Sequence, residues 1–354
     1  MTDSSPVALS APLRRVGIVM LSAAGDAVHA LAVVSALKRH DPRIHITWVM
    51  QPGPAMLVRG HPAVDEIVLF DRARGWRAFL DVRHALTQPF DVVLDLQVYL
   101  KAGIITALAP APVKLGFDRA RARDLNWLFT NRRIPPHPVQ HVQDQYLEFL
   151  AALGVPSEPV RWGLGPWPDE RAWQREFVAG IDRPIAPLVI GSSKPQKDWI
   201  PERWADLADA LSTDFGLQPV LAGGRSPREL ATERIIMERA KRPVVRALGS
   251  GLRGLVGILD AAALVVSLDT GPLHMTVALD RPVVSLIGYS DPKRVGPYRK
   301  FHDLIVDAYG EPGEDRPVSM VNRSDRMPRI TVRDVLDRVE RWRTSYSATS
   351  PRKS

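Results

Sequence analysis

Ser267-Leu268-Asp269-Thr270-Gly271-Pro272-Leu273-His274-Met275-Thr276-Val277-Ala278-Leu279-Asp280-Arg281-Pro282 joins an apolar run over 263–268 to an acid-hydroxyl-glycine turn where a helix should begin. A strand over 263–268 delivers Asp269 at its carboxyl end. Thr270 is placed to cap the following helix, Gly271 lets a backbone or ligand approach closely, and Pro272 suits the first helical position. His274 follows in the first turn. Hydroxyl, glycine amide and helix dipole converge on one anion-sized spot, the pattern by which a parallel α/β sheet holds phosphates. Asp-Thr-Gly also occurs in aspartic proteases, which need two copies in β-rich lobes; here there is one, among helices.

Outward from this stretch, strand and helix alternate. Strands are expected at 188–191, 220–222, 244–247, 263–268 and 283–287, with helices at 202–215, 227–241, 255–262 and 272–279. The first half repeats the theme, with strands at 16–21, 44–50, 66–70 and 91–96 and helices at 27–37, 76–86 and 142–153. Ile44, Ile46, Trp48 and Met50 fall on one face of their strand. The fold class is therefore α/β, two Rossmann-like, doubly wound parallel-sheet domains. Prolines at 156, 159, 166, 168, 184 and 187 mark the joint, with a short helix over 169–179 between them. The expected division is a domain over 13–165, a linker over 166–187, a domain over 188–330, a helix over 331–346, and a polar tail over 347–354. Ligands of such sheets bind at the carboxyl ends of the strands, so the two domains are expected to face a cleft.

Composition fits a globular enzyme. The chain has 354 residues, 45% of them hydrophobic, enough for two cores. It has no cysteine, which excludes disulfides, thiolate catalysis and cysteine-rich metal sites. Net charge is +8, favouring anionic partners: nucleotides, phosphorylated glycans, acidic lipid surfaces or nucleic acid. Residues 1–12 lack a basic patch followed by a long apolar stretch, and no apolar run reaches membrane-span length. The expectation is a cytoplasmic protein able to touch an anionic membrane surface without crossing it.

Ser22-Ala23-Ala24-Gly25-Asp26 puts a Gly-Asp pair between strand and helix. Asp26 either complements the helix amino terminus or serves as a general base for an attacking hydroxyl. Lys197, in Ser192-Ser193-Lys194-Pro195-Gln196-Lys197-Asp198-Trp199, follows the first strand of the second half; it is a solvated loop lysine or a phosphate contact. Arg72, Arg74 and Arg77 around Trp76 form one basic cluster, and Arg119, Arg121, Arg123, Arg132 and Arg133 a second. Both lie in the first half, where an anionic acceptor or headgroups would meet them together. No nucleic-acid-binding signature accompanies them, so nucleic acid is not an expected partner. Gly249-Ser250-Gly251-Leu252-Arg253-Gly254 matches the dinucleotide fingerprint but sits late in its domain, where that fingerprint does not normally occur.

The turn 16–29, the Trp48 strand, His61-Pro62-Ala63-Val64-Asp65-Glu66, Lys197-Asp198-Trp199-Ile200-Pro201-Glu202-Arg203-Trp204, the 269–282 stretch and Asp291-Pro292 together resemble the lipopolysaccharide heptosyltransferases, glycosyltransferase family 9. The resemblance runs in order from about residue 16 to 339. It implies a GT-B architecture with an acceptor-binding N-terminal domain, a nucleotide-sugar-binding C-terminal domain and a last helix returning to the first domain. It also implies inverting, metal-independent transfer of a heptose from ADP-heptose to a lipopolysaccharide core acceptor, without a cofactor. By motif match Asp26 is the general base. Lys197, Asp269, Thr270, Gly271 and His274 bind the donor, and Arg72, Arg74, Arg77 and Arg123 the anionic glycolipid acceptor. The alternatives are the same fold with another nucleotide-sugar or glycan, or a non-catalytic nucleotide- or glycan-binding protein.

Overall fold

A computed structural model describes residues 12–311 and 313–347. The chain start before residue 12, and the expected tail beyond Ser347, lie outside the described residues. The chain divides into two compact units, Met1–Leu164 and Gly165–Ser354.

The first unit runs β1 (Arg15–Val19), α1 (Ala24–His40), β2 (His45–Met50), α2 (Pro52–Val58), β3 (Glu66–Leu69), α3 (Arg77–Ala85), β4 (Val92–Asp95), α4 (Leu100–Leu108), β5 (Val113–Gly116), β6 (Arg132–Arg133) and α5 (Val142–Ala152). Its six strands lie in the order β3-β2-β1-β4-β5-β6 and pair in parallel. The chain builds outward from β1 to one edge, then returns to β4 and builds to the other. The gap between β1 and β4 is thus the point where connections diverge, and where a doubly wound sheet offers a crevice. Helices α1, α2 and α5 form one layer. The other consists of α3 and α4 with a short turn, Asn126–Phe129, packed on α4. Beneath that second layer Val19, Val49, Val68, Phe70, Val82, Phe90 and Ile105 close one apolar cluster, each side chain of that size contributing roughly 1.5–3 kcal/mol on burial.

The second unit runs α6 (Pro168–Ala179), β7 (Ile185–Val189), α7 (Pro201–Asp214), β8 (Gln218–Ala222), α8 (Pro227–Arg239), β9 (Val245–Arg246), α9 (Gly251–Asp260), β10 (Val265–Leu268), α10 (Gly271–Ala278), β11 (Val283–Ile287), α11 (Pro292–Val295), β12 (Ile305–Asp307) and α12 (Val332–Ser345). Its order is β12-β11-β10-β7-β8-β9, again parallel throughout. Here the connections diverge between β7 and β10. Strands β7, β8, β10 and β11 are buried at every residue, which is why they read as mostly apolar runs, interrupted by Gln218, Ser267 and Ser285, and not as alternation.

Among its described residues the charged stretch 308–329 has almost no regular structure and is organised by arginines. Arg316 reaches Asp307 (3.0 Å) and the buried Asp291 (3.4 Å). Asp291 also accepts from the backbone N–H groups of Lys293 and Ser319. Arg316 and Arg323 lie over the Tyr309 ring at 5.0 and 4.4 Å. A Cβ at Gly310 would occupy the space of the Arg316 guanidinium, so the glycine makes room for that arginine.

Candidate active site

In the first unit the chain leaves β1 and β4 side by side, with Val19 opposite Asp95. Gln97 ties the two exits together: its side chain accepts from the Leu21 N–H (3.1 Å) and donates to the Ser22 carbonyl. The Trp48 indole N–H holds the Met20 carbonyl from beneath at 3.1 Å. The turn so fixed begins α1, in which Asp26 is the third residue. One carboxylate oxygen of Asp26 accepts from the Ala23 N–H (3.0 Å) and the other from the Tyr146 hydroxyl on α5 (3.2 Å). The Tyr146 ring lies 6.2 Å from that of His29, and His29 is bound to the buried Gln143 at 3.0 Å.

Asp95 ends β4 fully buried. It accepts from the Asn126 side-chain amide (2.8 Å) and the Gln97 N–H (3.2 Å). Burial outweighs these bonds and pushes its carboxyl up to about 7. Asn126 also donates to the Tyr99 carbonyl, and the Arg123 N–H to that of Val98. The turn carrying Arg123 is thereby fastened to the same end of the sheet. After Arg123 the backbone turns left-handed at Asp124 (φ 49°) and Leu125 (φ 60°), an unusual conformation for residues other than glycine.

The remaining arginines divide by partner. Arg72, Arg77 and Arg123 are exposed, and Arg74 is ion-paired with Asp81 at 3.2 Å. Arg72, Arg74 and Arg123 stand on connections that leave the carboxyl ends of strands, and Arg77 begins α3. Arg121 is structural, clamped by Asp118 and by Glu148 (2.7 Å).

In the second unit Ser267 on β10 lies opposite Val189 on β7, so 190–200 and 269–274 emerge together. Trp199 is buried, edge-on to Trp204 at 5.0 Å, and donates to the Ile330 carbonyl at 2.9 Å. This anchors the loop two residues from Lys197. The Lys197 ammonium meets the Asp269 carboxylate at 2.6 Å and its carbonyl at 3.1 Å. It also lies 5.8 Å from the Tyr289 ring centroid. Gly271 opens α10, and His274, half-buried, sits in its first turn. The structure therefore brings Lys197, Asp269, Thr270, Gly271 and His274 to one strand end.

One expectation is corrected. Thr270 occupies the N-cap position, but its hydroxyl makes no capping bond. Its Oγ1 is buried without a hydrogen-bond partner among the described residues. A polar atom left so at the amino end of an eight-residue helix is suited to an anion, because the helix end carries about half a positive charge there.

Sequence reasoning passed over Gln97, Asp95, Tyr146, Tyr289 and Glu229. Glu229 fills the space that a Cβ at Gly191 would need and accepts from the Gly224 and Ser226 N–H groups. The dinucleotide fingerprint lies beyond the edge strand β9, not at the β7/β10 gap. Its Arg253 is spent on packing, 3.5 Å over the Trp167 ring and bonded to Glu170 at 2.6 Å.

The model of glycosyltransferase family 9 (heptosyltransferase) matches residues 79–317. The chain belongs to glycosyltransferase family 9. Among relatives of this glycosyltransferase, the lipopolysaccharide core heptosyltransferase OpsX of Haemophilus influenzae is 29% identical over 92% of this chain and 95% of its own. Lipopolysaccharide heptosyltransferase 1 of Escherichia coli K12 is 30% identical over 81% and 91%. The solved structure of E. coli heptosyltransferase WaaC with ADP superposes with a TM-score of 0.74 at 26% identity, covering 92% of this chain and 99% of that one. The glycosyltransferase thus has the GT-B fold, built from two Rossmann-like units. Among its described residues no helix is long and apolar enough to cross a membrane.

Proposed function

We propose that this glycosyltransferase moves a heptose from ADP-heptose to a lipopolysaccharide core acceptor with inversion and without a metal. The observation that carries the donor side is the Lys197–Asp269 pair (2.6 Å) beside the partnerless Thr270 hydroxyl at the start of α10. The relatives' names, and the ADP in the WaaC structure, support the donor assignment.

In this reading the first unit handles the acceptor, through Arg72, Arg74, Arg77 and Arg123, and the second unit handles the donor. Asp26 takes the proton of the acceptor hydroxyl as that oxygen attacks the anomeric carbon. The bond from that carbon to the diphosphate breaks, and its electron pair leaves with ADP. Lys197, the Thr270 hydroxyl, the Gly271 amide and His274 meet the charge that develops on the departing diphosphate, preorganised donors being the largest common source of rate enhancement. Asp269 orients Lys197 and contacts the donor sugar. The acceptor is a membrane amphiphile, so the enzyme works as a peripheral, cytoplasmic protein at the inner face of its membrane.

Asp26→Asn should lower turnover about a thousandfold, within the range of general-base catalysis, with ADP affinity retained by calorimetry. Near-normal turnover would remove Asp26 from the role. Lys197→Ala should weaken ADP binding about tenfold, the loss of one charge-assisted contact, while UDP and GDP bind the wild type more weakly than ADP. A preference for UDP or GDP would overturn the donor.

A further inference from the structure

Exposed large apolar side chains gather on one layer of the first unit. Trp76 is 69% exposed, Leu125 58% and Leu128 56%, and Leu80 and Leu100 also stand out to solvent. Trp76 immediately precedes α3 and Leu80 lies on it; Leu100 begins α4; Leu125 and Leu128 belong to the turn packed on α4. Since α3 packs on α4 and α4 on that turn, the five side chains stand on one layer of the unit. Leu125 is instructive because its left-handed backbone (φ 60°) is unfavourable for a leucine, and the side chain gains no burial in return.

Among these leucines stand Arg72, Arg77, Lys101, Arg119 and Arg123. None of the five has an acidic partner within ion-pair distance among the described residues. Arg119 instead lies 4.5 Å over the Trp127 ring. Cations are in excess around these apolar side chains, although Asp124 is exposed between Arg123 and Leu125, and such a surface suits a partner that is apolar beneath and anionic on top. A bilayer containing acidic lipids offers both at every point, whereas a protein partner would need a matching acidic and apolar face.

We propose that this layer docks on an anionic bilayer, with Trp76, Leu80, Leu125 and Leu128 entering the headgroup region and the arginines meeting lipid phosphates. The proposal deepens the glycolipid-acceptor reading but is measured without donor or acceptor, so the two fail separately. The test is sedimentation of the full chain with phosphatidylglycerol-rich and with pure phosphatidylcholine vesicles. Leu125→Gly suits the left-handed backbone at that position. Paired with Leu128→Ser, it should lower affinity for the anionic vesicles about tenfold, the loss of two inserted side chains. Leu230→Ser, an exposed leucine of the second unit, should change nothing.

Trp76→Phe should abolish most of the fluorescence quenching by brominated lipid. Wild-type binding that persists in Leu125→Gly/Leu128→Ser, or equal binding to neutral vesicles, would overturn the proposal. So would concentration-dependent self-association abolished by the same pair, which would make the layer an interface between copies. ADP calorimetry on each variant reports separately on the donor site.

Discussion

Both carboxylate oxygens of Asp26 are engaged, one by its own helix turn and one by Tyr146 from α5, 120 residues away. A carboxylate so held keeps one rotamer and, in the role proposed for it, does not have to reorganise when a hydroxyl arrives. Tyr146→Phe removes the hydroxyl anchor and leaves that of the Ala23 N–H. We expect kcat to fall about tenfold, the equivalent of one hydrogen bond to a charged group, with ADP affinity unchanged. An unchanged kcat would make Tyr146 a packing residue. Asp95 is the opposite kind of acid. Its carboxyl is raised to about 7 by burial, so the folded state holds a proton that the unfolded chain, near the ordinary value of 3.8, has lost. Its contribution to stability is therefore fully present below about pH 4 and declines as pH rises to about 7, by up to about 4 kcal/mol. Denaturant unfolding of Asp95→Asn between those limits should show a flatter pH dependence than the wild type. Parallel curves would refute it. In the sequence Asp26 and Asp269 are legible because each stands in a turn between an apolar run and a helix. Asp95 also follows an apolar run, but a strand over 91–96 absorbs it. Tyr146 could not be found, since nothing in its helix announces a partner so remote.

Among elements, the stretch 308–329 shows how a long segment is ordered without hydrogen-bonded ladders. Arg316 is nearly buried and its partner Asp291 wholly so. Removing one member of such a pair leaves the other charge uncompensated, typically at about 3–5 kcal/mol. Arg316→Ala should thus speed proteolysis within 308–329 and lower the melting temperature; Gly310→Ala, which drives out the same guanidinium, should imitate it. If neither variant is cut faster, the arginine is not the anchor. The strands explain where reading by pattern stops. Ile44, Ile46, Trp48 and Met50 do alternate, but β2 is covered on both sides, so Thr47 and Val49 are buried as well. The runs of β5, β6 and β12 are too short, at four, two and three residues, to stand out from loops. Helix α4 was hidden by Gly103 at its centre, whose missing side chain is occupied by the ring of Phe129. That substitution of one residue's bulk for another's is invisible along a single chain.

At the scale of the molecule, the alternation of strand and helix was enough to give two doubly wound sheets. It could not give the strand order, which follows from crossovers and not from composition. The order is the same in both units once each is counted from its own first strand, with β1 and β4 meeting in one and β7 and β10 in the other. Each gap carries an acid at a strand end, Asp95 and Asp269. Each sheet is clothed by helices of its own unit, and the residues that meet ligands in our reading lie on connections outside those cores. Substrate choice can therefore be inherited in pieces. On the proposed assignment, a descendant that takes a different acceptor need change only along 70–77 and 119–128, while its nucleotide preference stays recorded in 191–198 and 269–274. Drift in one register leaves the other still able to work.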